Sequence, residues 1–218
     1  DISTSNGNGI SLTNCSNILI RNNFIHDVST PNIENNDKGY AILSRNSSHI
    51  IVSGNLISHN MRGIDIDSTP DSPLIEDIRI DHNVISNTKM DSSILVRGAN
   101  GVIIDGNAAI DNGETEYFER RRVQGVITWD STNVSITDNI AVGSSSDGIA
   151  VATSTETQQR QPWFMSDGYL IARNTSIGNG EQGIWISGAK NGSIHDNYIE
   201  GNHNPREDLG SSGIMLEG

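Results

Sequence analysis

The chain has 218 residues and a mass of 23.5 kDa, one domain's worth of protein. Asn (25), Ser (27) and Gly (22) dominate while hydrophobic residues reach only 34%, and since all three prefer turns and caps, a helical bundle is excluded. A formal charge of -13 opposes DNA or RNA as a partner, no apolar run is long enough for membrane insertion or an uncut signal peptide, and the lone Cys15 permits neither an internal disulfide nor a cysteine zinc cage.

From the N-terminus onward one phrase recurs: Gly, two core apolar residues one residue apart, a polar turn, another apolar pair, then Asn. Its second half reads Ile20-Arg21-Asn22-Asn23-Phe24-Ile25 and returns at Val52-Ser53-Gly54-Asn55-Leu56-Ile57 and at Ile80-Asp81-His82-Asn83-Val84-Ile85. The recurrent Asn stands at 23, 55, 83, 107, 139, 174 and 197, at intervals of 32, 28, 24, 32, 35 and 23. The bare unit is therefore 23 or 24 residues, with insertions at two phases. Within a unit the apolar residues alternate with period 2, so each unit holds short strands, and equivalent strands of successive units stack in parallel. The reading is all-β: a right-handed parallel β-helix, or solenoid, of about seven rungs with almost no helix. One such domain is expected to cover 1–218, and its unfinished eighth rung and uncapped first rung lead to the expectation of a segment of a longer protein, or of ends covered by something outside the sequence. The stretches 27 to 38, 67 to 73, 112 to 124, 153 to 167 and 202 to 212 lack the repeat and read as rim loops.

In the strand that opens each unit the Ile positions point inward and the intervening positions outward, so outward residues of successive rungs form two columns. The first reads Ser11, Ala41, Asp65, Leu95, Ile127, Ala150, Trp185, Met215; the second reads Thr13, Leu43, Asp67, Arg97, Trp129, Ala152, Ser187, Glu217. Trp129 and Trp185 on a groove would be platforms for the apolar faces of sugar rings, an extended polysaccharide being the ligand that suits a row of rungs about 4.8 Å apart. The competing reading covers them with rim loops that carry Tyr117-Phe118 and Trp163-Phe164. Asp65 and Asp67, two residues apart on one strand face, stand about 6.5–7 Å apart, within the roughly 6.5–9.5 Å that suits an inverting glycosidase. With Asp71 or Glu76 they would instead hold Ca²⁺, which wants several hard oxygen ligands.

These phrases resemble the parallel β-helix repeats of the pectin-lyase-like superfamily, which spans polysaccharide lyases, polyuronate epimerases, polygalacturonase-type hydrolases and phage tailspikes, over roughly residues 6 to 218. The resemblance implies that the Asn column is an internal side-chain ladder. It extends, distantly, to polysaccharide lyase modules and to mannuronan C5-epimerases, whose outward strand reads Tyr-Gly-Phe-Asp-Pro-His where this chain has Arg62-Gly63-Ile64-Asp65-Ile66-Asp67. The Gly and Asp65 match, while Arg62 and Asp67 replace the Tyr and His that the family uses for proton transfer. Proton abstraction beside a uronate carboxylate also needs that carboxylate neutralised, a role open to Arg97 and Arg62.

The loop from Glu114 to Gln124 carries Tyr117 and the run Arg120-Arg121-Arg122 just before the Trp129 strand, where Tyr117 and Arg122 would meet an anionic sugar chain or else neutralise local acids. The six His show no two-ligand spacing and read as structural. The expectation is an extracellular or cell-surface protein that binds an extended, uronate-containing polysaccharide and modifies it as an epimerase, lyase or hydrolase. Asp65, Asp67 and Arg97 are the candidate catalytic residues. Arg62, Trp129, Trp185, Tyr117 and Arg122 are the candidate substrate-binding residues, and Asp65 and Asp67 the candidate Ca²⁺ ligands. The rival from another class is a non-catalytic adhesive or structural β-helix.

Overall fold

Every unit turns an alternating apolar sequence into three short strands whose inward side chains can be buried only by the next unit. In the computed structural model, which describes residues 1–3, 7–29, 39–69, 72–113, 123–154, 166–203 and 212–218, that stacking produces three parallel sheets and no helix among the described residues. The front sheet has eight strands: Ile10–Thr13, Tyr40–Arg45, Arg62–Asp67, Ser92–Arg97, Gln124–Trp129, Ile149–Ala152, Ile184–Ser187 and Ile214–Glu217. A seven-stranded side sheet runs from Ser16–Arg21 to Ala189–His195, and an eight-stranded back sheet of short strands runs from Ile2–Ser3 to Tyr198–Glu200. The chain visits front, side and back sheet in turn, so each circuit is one rung of a parallel β-helix, and the two phases of insertion are the connections from back to front and from front to side.

The core is a stack of like residues. Ile42, Ile64, Ile94, Val126, Ile149 and Ile184 line the inside of the front sheet, and Ile50, Ile78, Val102 and Val134 line the side sheet, nearly all sealed from solvent. The seven Asn form the ladder that the repeat implies. Asn83 Nδ2 donates to Asn107 Oδ1 at 2.9 Å, Asn107 Nδ2 donates to Asn139 Oδ1 at 3.0 Å, and each amide also reaches main-chain carbonyls. This satisfies the polar backbone of a buried two-residue turn. The residue before each ladder Asn is left-handed, including His82 (φ 53°) and Arg173 (φ 56°), which explains the excess of Asn, Asp and Gly at that column.

A second ladder, not read from the sequence, lies at the exit of the back sheet. There Asn60, Asn112, Asn179 and Asn202 accept main-chain N–H bonds from Val28, Thr88, Ser144 and Asn179 at 2.8–2.9 Å. The two ladders bound the back sheet, one at its entry and one at its exit.

Candidate active site on the front sheet

The strand Tyr40–Arg45 sits two residues away from its expected register. Leu43 pairs with Asp65, and Arg45 pairs with Asp67. The outward columns therefore run Ser11, Leu43, Asp65, Leu95, Ile127, Ala150, Trp185, Met215 and Thr13, Arg45, Asp67, Arg97, Trp129, Ala152, Ser187, Glu217. In most rungs the strand is preceded by a glycine because there is no room for a side chain; a Cβ on Gly63 would lie 2.1 Å from the carbonyl oxygen of Ser93. In this rung Ala41 takes that place, and Gly39, two residues earlier, is the decoy that shifts the sequence alignment. The missed signal is Ile42-x-Ser44, whose inward positions repeat Ile10-x-Leu12 and Ile64-x-Ile66.

This register surrounds Asp67 with guanidinium groups, Arg45 on one rung and Arg97 on the next. Asp65 Oδ1, Asp67 Oδ1 and Arg97 Nε are all covered from solvent and make no hydrogen bond. Buried polar atoms are nearly always partnered, so three such atoms on adjacent strands form a cluster with unmet hydrogen-bonding capacity. Burial pushes the Asp65 carboxyl up to about 7, with the charge of Asp67 adding to the rise and Arg97 opposing it. Burial also raises Asp67, against Arg97 and Arg45, which favour its ionised form. Two neighbouring carboxyls held in different environments, one of them half-protonated at neutral pH, can give and take protons.

Arg62 does not stand where a substrate would reach it. Its side chain is 2% exposed, paired through Nε with Asp91 Oδ2, and its guanidinium carbon lies 4.9 Å from the centre of the Tyr40 ring. The expectation that Arg62 binds substrate is corrected accordingly: a cation in that column is stabilised by an aromatic face and a carboxylate, and it holds Tyr40 in place. Tyr40, which sequence reasoning passed over, is 7% exposed, and burial followed by the charge of Asp65 pushes its phenol up to about 12. It is a neutral hydrogen-bond donor under the electrostatic influence of Asp65.

Trp129 and Trp185 stand on one face of the sheet and meet across the intervening rung as an edge-to-face pair, with ring centroids 5.9 Å apart and planes at 75°, rather than as two flat platforms. They lean over Leu95, Ile127 and Ala150, and Ile127 and Ala150 are fully buried although they point outward. Small Ala150 on the intervening rung leaves the space in which the indoles meet. Both Trp remain partly exposed, and Trp185 Nε1 donates to Glu217 Oε2 at 3.1 Å. Tyr117 and Arg122, with Asp71, Trp163 and Phe164, lie outside the described residues.

Among the described residues, which leave out Asp71, Ca²⁺ meets a poor fit at Asp65 and Asp67. Among the described residues no group of three or more His, Cys, Asp or Glu side chains converges to hold a metal, and Arg45 and Arg97 flank Asp67 with positive charge. A hard divalent ion needs more oxygen ligands than two carboxylates supply.

Residues 1–117, 28–165 and 124–218 each match the family described as right handed beta helix region. Among solved structures, a double mutant of the periplasmic alginate epimerase AlgG superposes with a TM-score of 0.58 at 14% identity, over 87% of this chain and 42% of that one. The A-module of the Azotobacter vinelandii mannuronan C-5 epimerase AlgE4 superposes with a TM-score of 0.60 at 15% identity, over 91% of this chain and 58% of that one. The chain thus spans about half the length of the structures it resembles, and at these identities the likeness is one of fold. No curated protein matches the sequence.

Proposed function

This chain belongs to the right-handed β-helix family, and we propose that it binds an extended, uronate-containing polysaccharide along the outer face of its front sheet, outside the cytoplasm, and modifies it by proton transfer at Asp65. The observation that carries the reading is the cluster of covered, unpartnered polar atoms, Asp65 Oδ1, Asp67 Oδ1 and Arg97 Nε. A uronate would complete it: the sugar hydroxyls donate to the aspartate oxygens and the sugar carboxylate meets Arg97. The carboxylate oxygens accept from Arg97, with Arg45 one rung beyond Asp67, and these cations offset the charge that builds on the carboxylate when the C5 proton leaves. Asp65, near 7, is substantially ionised at neutral pH and accepts that proton. Return of a proton to the opposite face inverts C5; departure of the oxygen at C4 instead breaks the chain and leaves a C4–C5 double bond. Tyr40, neutral and near Asp65, is the donor for the returning proton or the leaving oxygen. That both structural neighbours are alginate or mannuronan epimerases favours the same reading.

A hydrolase is the second reading, favoured by the Asp65–Asp67 spacing of roughly 6.5–7 Å. Protonated Asp65 would then donate to the glycosidic oxygen while Asp67 activates water.

Incubation with a panel of neutral and uronate polysaccharides, monitored separately for C5 proton exchange, unsaturated-product absorbance and new reducing ends, tests both. Exchange or unsaturation that disappears in Asp65→Asn supports proton abstraction. Reducing ends without unsaturation select the hydrolase. Neither turnover nor binding of any polymer would return the chain to the structural or adhesive class.

A further inference from the structure

The front sheet is divided along its length. The strands Tyr40–Arg45, Arg62–Asp67 and Ser92–Arg97 carry Arg45, Arg62, Asp65, Asp67 and Arg97. The next four, Gln124–Trp129, Ile149–Ala152, Ile184–Ser187 and Ile214–Glu217, contain no Lys, Arg or His, and their one charged residue is Glu217. The change is abrupt, because Arg97 and Trp129 are register partners on adjacent strands, about 4.8 Å apart. A chain whose carboxylate sits at Arg97 therefore lays its next residues over the Trp129–Trp185 pair.

An indole face carries negative quadrupolar potential and repels anions, while the slightly positive C–H groups of a sugar face pack against it. Glu217, fixed beside Trp185 by its hydrogen bond, and Asp130, which follows Trp129 and accepts from the Ser154 N–H at 2.8 Å, add negative charge at the same end. A homopolymer of uronate would place a carboxylate against the indoles and these acids at every residue.

We infer that the polysaccharide is mixed, with a uronate over Arg97 and an uncharged sugar residue packed by its C–H groups against the Trp129–Trp185 pair. This deepens the polysaccharide reading of the same groove and rests on it. Two sources share that chemistry, a neutral hexose and a uronate masked as its ester.

The test titrates the intact protein, by calorimetry and indole fluorescence, with three oligosaccharides of equal length: one alternating uronate and neutral hexose, one of uronate throughout, and the latter methyl-esterified at alternate residues. The alternating oligomer should bind at least about tenfold more tightly than the all-uronate one. Recovery of that affinity by the ester identifies absence of charge as what the site reads; failure to recover it assigns the site to a neutral hexose. Trp129→Ala should abolish the preference, whereas Arg97→Gln should weaken all three, and the wild-type comparison decides the matter should the Trp variant not fold. Equal affinity for the all-uronate and alternating oligomers would overturn the inference and leave the polysaccharide reading standing. No binding of any of the three would overturn both.

Discussion

At the scale of single residues, Asp65 connects geometry to chemistry most directly. Its position in an outward column suggests a solvated side chain whose loss would barely alter stability, but the covered Oδ1 and the rise from 3.8 to about 7 change that expectation. The folded protein holds a proton on Asp65 that the unfolded chain releases near 3.8, so Asp65 costs nothing below that pH, and the fold loses stability as pH rises from about 4 to about 7. Asp65→Asn should therefore be the more stable protein above pH 7, by on the order of 1 kcal/mol or more, with the gap closing below pH 4 in urea titrations. Turnover in the same variant should fall by about 100-fold or more. The wild-type rate should rise with pH through about 7 if ionised Asp65 takes the proton and fall through it if protonated Asp65 gives one, so the direction of that limb separates proton abstraction from hydrolysis.

Arg62 and Arg97 provide the matching contrast. Arg62→Met removes a buried ion pair and the stack on Tyr40. It should lower stability by about 1–3 kcal/mol, the loss being moderated because Asp91 stays half in solvent. Polysaccharide affinity should change by no more than about twofold, whereas Arg97→Gln should weaken binding by about tenfold or more with little change in melting temperature. Equilibrium unfolding and binding titrations on the pair check the distinction.

Among the elements, the Asn ladder was the most legible feature. A side chain that recurs at one phase through insertions of different length has to stack on itself, and the short Asn amide both donates and accepts. Asn107→Ala removes an acceptor from the main-chain N–H and the amide of Asn83 as well as donors to Ile80 O and Asp105 O. Leaving those buried groups unpaired should cost about 2–4 kcal/mol, measured by thermal or denaturant unfolding, and the loss should exceed that for the half-buried ladder-end Asn23. The second ladder escaped reading because Thr88 and Ser144 interrupt it and the insertions from back to front sheet begin immediately beyond it. The strand Tyr40–Arg45 was misplaced for a related reason: a glycine is a reliable marker of strand phase only where the Cβ has nowhere to go, and in that rung the packing admits Ala41.

For the whole molecule, a net charge of -13 makes the cations of the front sheet a local exception, and function is argued from that exception rather than from the average. The same cations argue against a divalent ion at Asp65 and Asp67, so treatment with a chelator should leave both the melting temperature and polysaccharide turnover unchanged within error. A fall in either would restore the Ca²⁺ reading. The β-helix, the phases of its insertions, the Asn ladder and the placement of Asp65, Asp67, Arg97, Trp129 and Trp185 on one face are legible from the order of residues, because a solenoid repeats its hydrophobic alternation at fixed phase and each unit can be read against the next. It takes the packed fold to show that Arg45 joins Asp67, that Arg62 is buried under Tyr40 rather than offered to a ligand, that Asp65 is held near 7, and that the two indoles lean together over Ala150. These are properties of neighbours on different rungs, separated by insertions of unequal length, and burial and electrostatic potential depend on what packs across the rungs, which no periodicity within one rung encodes.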